Sequence, residues 1–232
     1  MYETSDLVTL PSSSSDQTFV TISALDAGQL TLPESLVITN AEPSKRTTVP
    51  SLSFLIRHPS PGGNNRPTKN LVFDLGLKRD FSGYPPAQQA HISQRQPTIV
   101  KPDCADSLRV GGLDPETDID IVLLSHVHWD HVGTPSDFPS AKFLVGSGTL
   151  HLLEHGAGRL YPAEIFNTNE LPVDRTLEFP PVISERSEAS VPAGKTLQTE
   201  HTWKPLTQFP ATLDLFGDGS VGFIWEVIVV MM

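Results

Sequence analysis

Ile119-Asp120-Ile121-Val122-Leu123-Leu124-Ser125-His126-Val127-His128-Trp129-Asp130-His131 is the stretch on which the fold turns. Its first half is almost wholly apolar, so it reads as a strand covered on both faces rather than one with a wet side. Its second half changes character at once. His126, His128 and Asp130 are spaced by two, and in an extended segment residues two apart project to the same side, so the three can converge on one volume. Neutral imidazoles and a carboxylate are the donors a borderline divalent metal such as zinc accepts, at about 2.0–2.2 Å. Three of the chain's eight histidines fall in this window, which an apolar strand would hold rigid at its end. Gly133 allows a tight turn just beyond it.

Upstream, Asp103 to Val110 reads as a short helix capped by its first Asp and stopped by Gly111-Gly112. Residues 77–102 have no clear period and read as a loop with one helical turn at Ala87 to Ile92. Ser51 to Arg57 and Asn70 to Leu75 read as paired strands, with the turn-rich segment Pro59 to Pro67 between them. Phe19 to Leu25 is a further strand, ending at Asp26-Ala27-Gly28. Residues 1–17 read as a polar arm ahead of one domain spanning 18–232. Downstream, Ala141 to Val145 is a strand, and Gly148 to His155 a helix ended by Gly156. Residues 167–200 are polar, Pro-rich and weakly structured. Asp214 to Ser220 reads as a hairpin turn whose second strand is Val221 to Val230. The pattern is α+β, in layers.

Composition narrows the function. The net charge of −11 and the lack of any basic run argue against a nucleic-acid partner. A single cysteine, Cys104, excludes an intramolecular disulfide and reads as a thiol near the short helix. The N-terminus lacks the basic and apolar regions of a signal peptide, and Val221 to Met232 is too short to cross a bilayer, so the expected location is the cytoplasm without a membrane partner.

His126-Val127-His128-Trp129-Asp130-His131 matches the HxHxDH signature, and the chain resembles the metallo-β-lactamase superfamily, in particular its N-acyl-homoserine lactonase-like subgroup. Leu25-Asp26-Ala27-Gly28, Phe73-Asp74-Leu75-Gly76, Gly112-Leu113-Asp114-Pro115 and Asp214-Leu215-Phe216-Gly217-Asp218-Gly219 extend the resemblance over about residues 18–220. It implies an αββα sandwich and two zinc ions. His126 and His128 would help hold the first, Asp130 and His131 the second, and Asp130 would also serve catalysis. Asp74 would buttress the loop, or else cap a turn. The implied reaction is hydrolysis of a small-molecule lactone or ester by a metal-bound hydroxide; an iron-dependent oxidoreductase of the same fold is the less favoured relative.

The family places further ligands later, in a Gly-His-x-x-Gly-His-like segment, a bridging Asp and a final His. No histidine follows His201 here. The resemblance therefore implies the N-terminal half to two-thirds of the sandwich, and a truncated, inactive domain stands as the alternative. His151 and His155 read first as a solvated helix face and second as a ligand pair. His201, in a Pro-rich loop, is the weaker candidate. Oligomeric state is left open.

Overall fold

One sheet with two apolar faces organises the chain. The computed structural model describes residues 17–59, 68–182, 194–199, 202–207 and 209–224. In chain order the elements are β1 (Thr21–Pro33), β2 (Arg46–His58), β3 (Lys69–Phe73), α1 (Pro86–Ser93), α2 (Cys104–Val110), β4 (Ile121–Leu123), β5 (Lys142–Val145), α3 (Thr149–His155), β6 (Gly156–Ala157), β7 (Tyr161–Pro162), β8 (Thr176–Glu178), β9 (Lys204–Leu206), β10 (Phe209–Asp214) and β11 (Gly222–Ile224). The large sheet has the order β1-β2-β3-β4-β5-β8 and a small one the order β11-β10-β9. β1 to β3 are antiparallel, whereas β3, β4, β5 and β8 run parallel.

The parallel strands alternate between two cores. Val72, Val122, Phe143 and Val145 point to one face and pack with Cys104 and Leu108 of α2 and Leu153 of α3. Phe73, Ile121, Leu123, Leu144 and Leu177 point to the other and pack with Leu213 of β10 and Phe223 of β11. Each such side chain contributes about 1.5–3 kcal/mol when fully buried. The result is helix, sheet, sheet: three layers of the expected αββα sandwich among the described residues. The expected mixed class holds, and β4 is covered on both sides, as its apolar run implied.

Several local expectations change. Gly28 does not end β1. Asp26 pairs with Leu52 and Gln29 with Pro50, so Ala27 and Gly28 face the single residue Ser51. This is a β-bulge. Gly28 takes φ +93°, and a Cβ there would lie 2.9 Å from the Ile99 carbonyl oxygen. β3 stops at Phe73, two residues early, because Asp74 turns to φ +56°. The single helical turn at Ala87 to Ile92 is a complete short helix, α1. The segment read as weakly structured contains β8, which completes the parallel run beside β5. Helix α2 forms as expected, with Asp103 and Asp106 making a reciprocal capping box, and Cys104 is buried beneath it. The hairpin also forms, β10 pairing with β11. Residues 225–230 of its expected second strand, the turn at 60–67, His201 and residues 1–16 of the arm lie outside the described residues. Among the described residues no helix is long and apolar enough to cross a membrane.

Candidate metal centre

The end of β4 delivers the histidine loop between two cores. Leu124 and Val127 face the helix side, while Trp129 packs with Leu30, Leu77, Tyr84 and Ile92 in a second cluster. The loop is not extended throughout. The amides of His131 and Val132 both donate to the His128 carbonyl, at 3.0 and 3.3 Å, so the chain turns after His128. The two-residue spacing therefore places His126 and His128 together, but Asp130 is brought round beside His131 instead. His126 Nε2 lies 3.0 Å from His128 Nδ1, and His131 Nε2 lies 3.7 Å from Asp130 Oδ2.

A single buried carboxylate orients both halves. Asp74 Oδ1 accepts the Ser125 amide at 2.7 Å, and Oδ2 accepts the Ser125 hydroxyl at 2.7 Å. The same Oδ2 accepts His131 Nδ1–H at 2.8 Å. Because the Ser125 proton goes to Asp74, its oxygen is free to accept His126 Nδ1–H, 3.0 Å away. Both imidazoles are thereby fixed with the proton on Nδ1 and the lone pair on Nε2, that of His126 facing His128 and that of His131 facing Asp130. Asp74 is thus more than a turn cap; it is the buttress that the resemblance implied. The carboxylate is itself held, since Ser53 Oγ donates to its backbone oxygen at 2.7 Å.

Electrostatics follow the same division. Burial, with the neighbouring His131 and His128, pushes the His126 imidazole down to about 2, so it stays neutral. Burial also lowers His128, against the opposing charge of Asp130. At His131 burial works downward too, but the hydrogen bond and charge of Asp74, with Asp130, raise it. His126 and His128 are thus biased toward the neutral form that ligates a metal, and His131 toward the charged form that pairs with Asp74.

Other residues hold the loop without signalling it in the sequence. Ser51, opposite the bulge, donates its hydroxyl to the Asp130 carbonyl. Tyr84 donates to the Trp129 carbonyl at 3.3 Å. Tyr161 of β7 stacks on His128, 5.6 Å between centroids. Gly133 takes φ +54°, and a Cβ there would lie 2.5 Å from Leu75 Cβ. His151 and His155 are not part of the centre: they sit on exposed positions of α3, rings 4.3 Å apart. Cys104 is also apart from it, in the core, its thiol pushed up to about 12 by burial.

The donors suit zinc in kind and pairwise spacing. Two ligands on one tetrahedral zinc lie about 3.4 Å apart, between the two separations found. They come as two pairs, and among the described residues no three His, Cys, Asp or Glu side chains are grouped around one point.

No family model matches the chain. Among curated proteins it is 32% identical over 183 residues to cytochrome P450 monooxygenase mpaDE of Penicillium roqueforti, covering 76% of the chain and 18% of that protein. It is 37% identical over 102 residues to gamma-lactamase FDB1 of Fusarium pseudograminearum, covering 42% of the chain and 24% of that protein. With metallo-hydrolase mfmC of Annulohypoxylon moriforme it shares 28% identity over 180 residues, 74% of the chain and 39% of that protein. The chain thus spans less than two fifths of each of these relatives. Among solved structures, a mutant of Bacillus thuringiensis AiiA with N-decanoyl-L-homoserine bound is 18% identical, with a TM-score of 0.46, covering 64% of this chain and 56% of that one.

Proposed function

We propose that the chain is a member of the metallo-β-lactamase superfamily and a zinc-dependent hydrolase acting on a lactone or ester of a small molecule. The observation that carries this reading is the shared orientation of His126 and His131 by Asp74, directly and through Ser125, which leaves the lone pair of each imidazole on Nε2. His126 and His128 are the pair that would hold one ion, Asp130 and His131 the pair that would hold the other. Zinc bound there supplies Lewis acidity, polarising a carbonyl and acidifying a water. The chain's own residues do the remaining work. Asp74 keeps the Nδ1 protons in place, Tyr161 keeps the His128 ring from turning, and Ser51 and Tyr84 pin the backbone at Asp130 and Trp129. Asp130, a carboxylate a quarter exposed, is the group placed to hold and return a proton at the opening.

The test is metal content and cobalt(II) spectroscopy of purified chain, alongside turnover of a γ-lactone and a p-nitrophenyl ester. Zinc retained by the natural sequence and lost in His126→Ala and His128→Ala, with turnover lost in step, is the expected result. Retention of equal zinc by both variants would sink the assignment of ligands. Zinc held as expected with no turnover of either substrate would overturn the hydrolase reading and leave a metal-binding domain.

A further inference from the structure

Beside His128 and Asp130 opens a cavity of about 690 Å³, walled by α1, β1, the short helical turn at Leu36, and the segment Arg159 to Ile165. We propose that this cavity selects a substrate bearing a carboxylate on an apolar body, with Arg95 and Arg159 as the residues that recognise the anion. That it receives a substrate of hydrolysis rests on the reading above; that it prefers an organic anion does not.

Three observations lead there. The first is the state of the two guanidinium groups. Arg79, Arg109 and Arg175 each have a carboxylate partner. Among the described residues Arg46, Arg57, Arg95 and Arg159 form no ion pair, and of these four Arg95 and Arg159 line this cavity, although the chain as a whole carries a net charge of −11. Arg95, half-buried, spends its donors on neutral acceptors, the His91 carbonyl and the Gln94 amide oxygen, at 3.4 and 3.2 Å. Among the described residues the only carboxylate on the cavity wall is Asp130, which lies 3.7 Å from His131 and whose charge reaches Arg95 without pairing with it. A guanidinium without a carboxylate is the residue type best fitted to take one in from a ligand.

The second observation is Gln88, on the α1 wall. It is 6% exposed, and its amide nitrogen is buried with no hydrogen-bond partner. A buried donor left unmade is costly, and a half-turn of the amide presents it to a ligand oxygen. The third is the rim. Leu36, Val37 and Leu160 line the same cavity while exposed by 56%, 69% and 80%. Apolar side chains at the mouth, with cations and an unused donor on the walls, match an amphipathic anion. A neutral lactone with a plain alkyl tail would leave both guanidinium groups without a hydrogen-bonded carboxylate.

The experiment is calorimetric titration of chelator-treated, metal-free chain with octanoate and, separately, with octan-1-ol. Octanoate is expected to bind at least tenfold more tightly than the alcohol. The double substitution Arg95→Gln with Arg159→Gln is expected to weaken octanoate about tenfold and to leave octanol unchanged, whereas Leu160→Ser weakens both. Equal affinity for the two probes in the natural sequence would overturn the proposal. So would unchanged octanoate binding in the double variant, or an equal loss in Arg57→Gln, an exposed arginine away from the cavity, since net charge would then suffice. Because no metal is present, failure here leaves the zinc assignment standing, and failure of the zinc assignment leaves this result standing.

Discussion

The histidine loop and the small sheet are attached to the same large sheet by different means. The loop is held by hydrogen bonds at almost every residue: Asp74 on Ser125 and His131, Tyr84 on Trp129, Ser51 on Asp130. The small sheet is held mainly by burial. β9 is exposed throughout, β10 sends only Ala211 and Leu213 fully inward, and its turn is clamped at one point. There His58 Nε2 meets Asp218 Oδ2 at 2.9 Å, and the His58 ring stacks on Phe216 at 3.9 Å. The difference teaches what each region must do. Side chains that are to ligate a metal, as proposed for the loop, have to arrive within fractions of an ångström, which directional bonds achieve. A covering layer has only to exclude water, which apolar area achieves without direction.

That contrast can be broken most severely at Asp74. Asp74→Ala strands the Ser125 amide and two imidazole-linked donors in a buried place, and should cost about 3–5 kcal/mol in denaturant unfolding. Asp74→Asn keeps the shape and should instead lower zinc affinity about 10–100-fold by losing the charge that orients His131, read by competition with a chelating dye. If both variants matched the natural chain in stability and affinity, the buttress would be no buttress. On the small sheet, Leu213→Ala removes a fully buried side chain between the layers and should cost about 3 kcal/mol. Amide exchange should accelerate in β9 to β11 while the loop amides stay protected; uniform acceleration would mean that the two regions are one cooperative unit.

Gly133→Ala sharpens the comparison from the loop side. With φ +54° and Leu75 at 2.5 Å, the added methyl should cost about 2 kcal/mol and shift the loop, visible as altered chemical shifts of His128 and His131. The smallest effect belongs to the clamp. Burial acts to raise the Asp218 carboxyl, but hydrogen bonds from Ser220 and His58 outweigh it and hold it at about 2. A folded-state value below the unfolded one contributes stability that is present above the ordinary carboxylate range and lost as pH falls toward 2. Between pH 5 and 2 the hairpin amides should therefore loosen ahead of the loop, and Asp218→Asn should remove that dependence. An unchanged profile in the variant would assign the acid sensitivity elsewhere.

Where the chemistry was local, the sequence was enough. The capping residues of α2 sit within one turn of each other, and its stop at Gly111-Gly112 follows from backbone freedom alone. The loop residues were legible because three histidines and an aspartate after an apolar strand have few other uses. Their pairing was not, since the turn after His128 depends on bonds from elsewhere in the fold. β8 was missed for a related reason. It is three residues long, and its strand character comes from β5 beside it. Its Glu178, wholly buried, accepts the Gly148 and Leu150 amides at the start of α3, 2.9 and 2.7 Å away. No periodicity marks a residue whose partners lie about thirty positions earlier. Gly28 was read as punctuation because a glycine that ends a strand and one that bulges it look alike in one dimension.

That extra residue in β1 also acts as a counting device. Leu25, before it, packs with the helix-side core, and Leu30 and Leu32, after it, pack with the cluster around Trp129. Deleting either Ala27 or Gly28 would shorten the strand by one and rotate everything on one side of the cut to the opposite face. Leu30 would leave Trp129, and Ser51 would lose its place opposite the bulge, so the carbonyl of Asp130 would lose its donor. Length along this edge is thus as much a condition of the loop as the histidines themselves, and a one-residue slip about a hundred positions before them would disturb the loop without touching any of its residues.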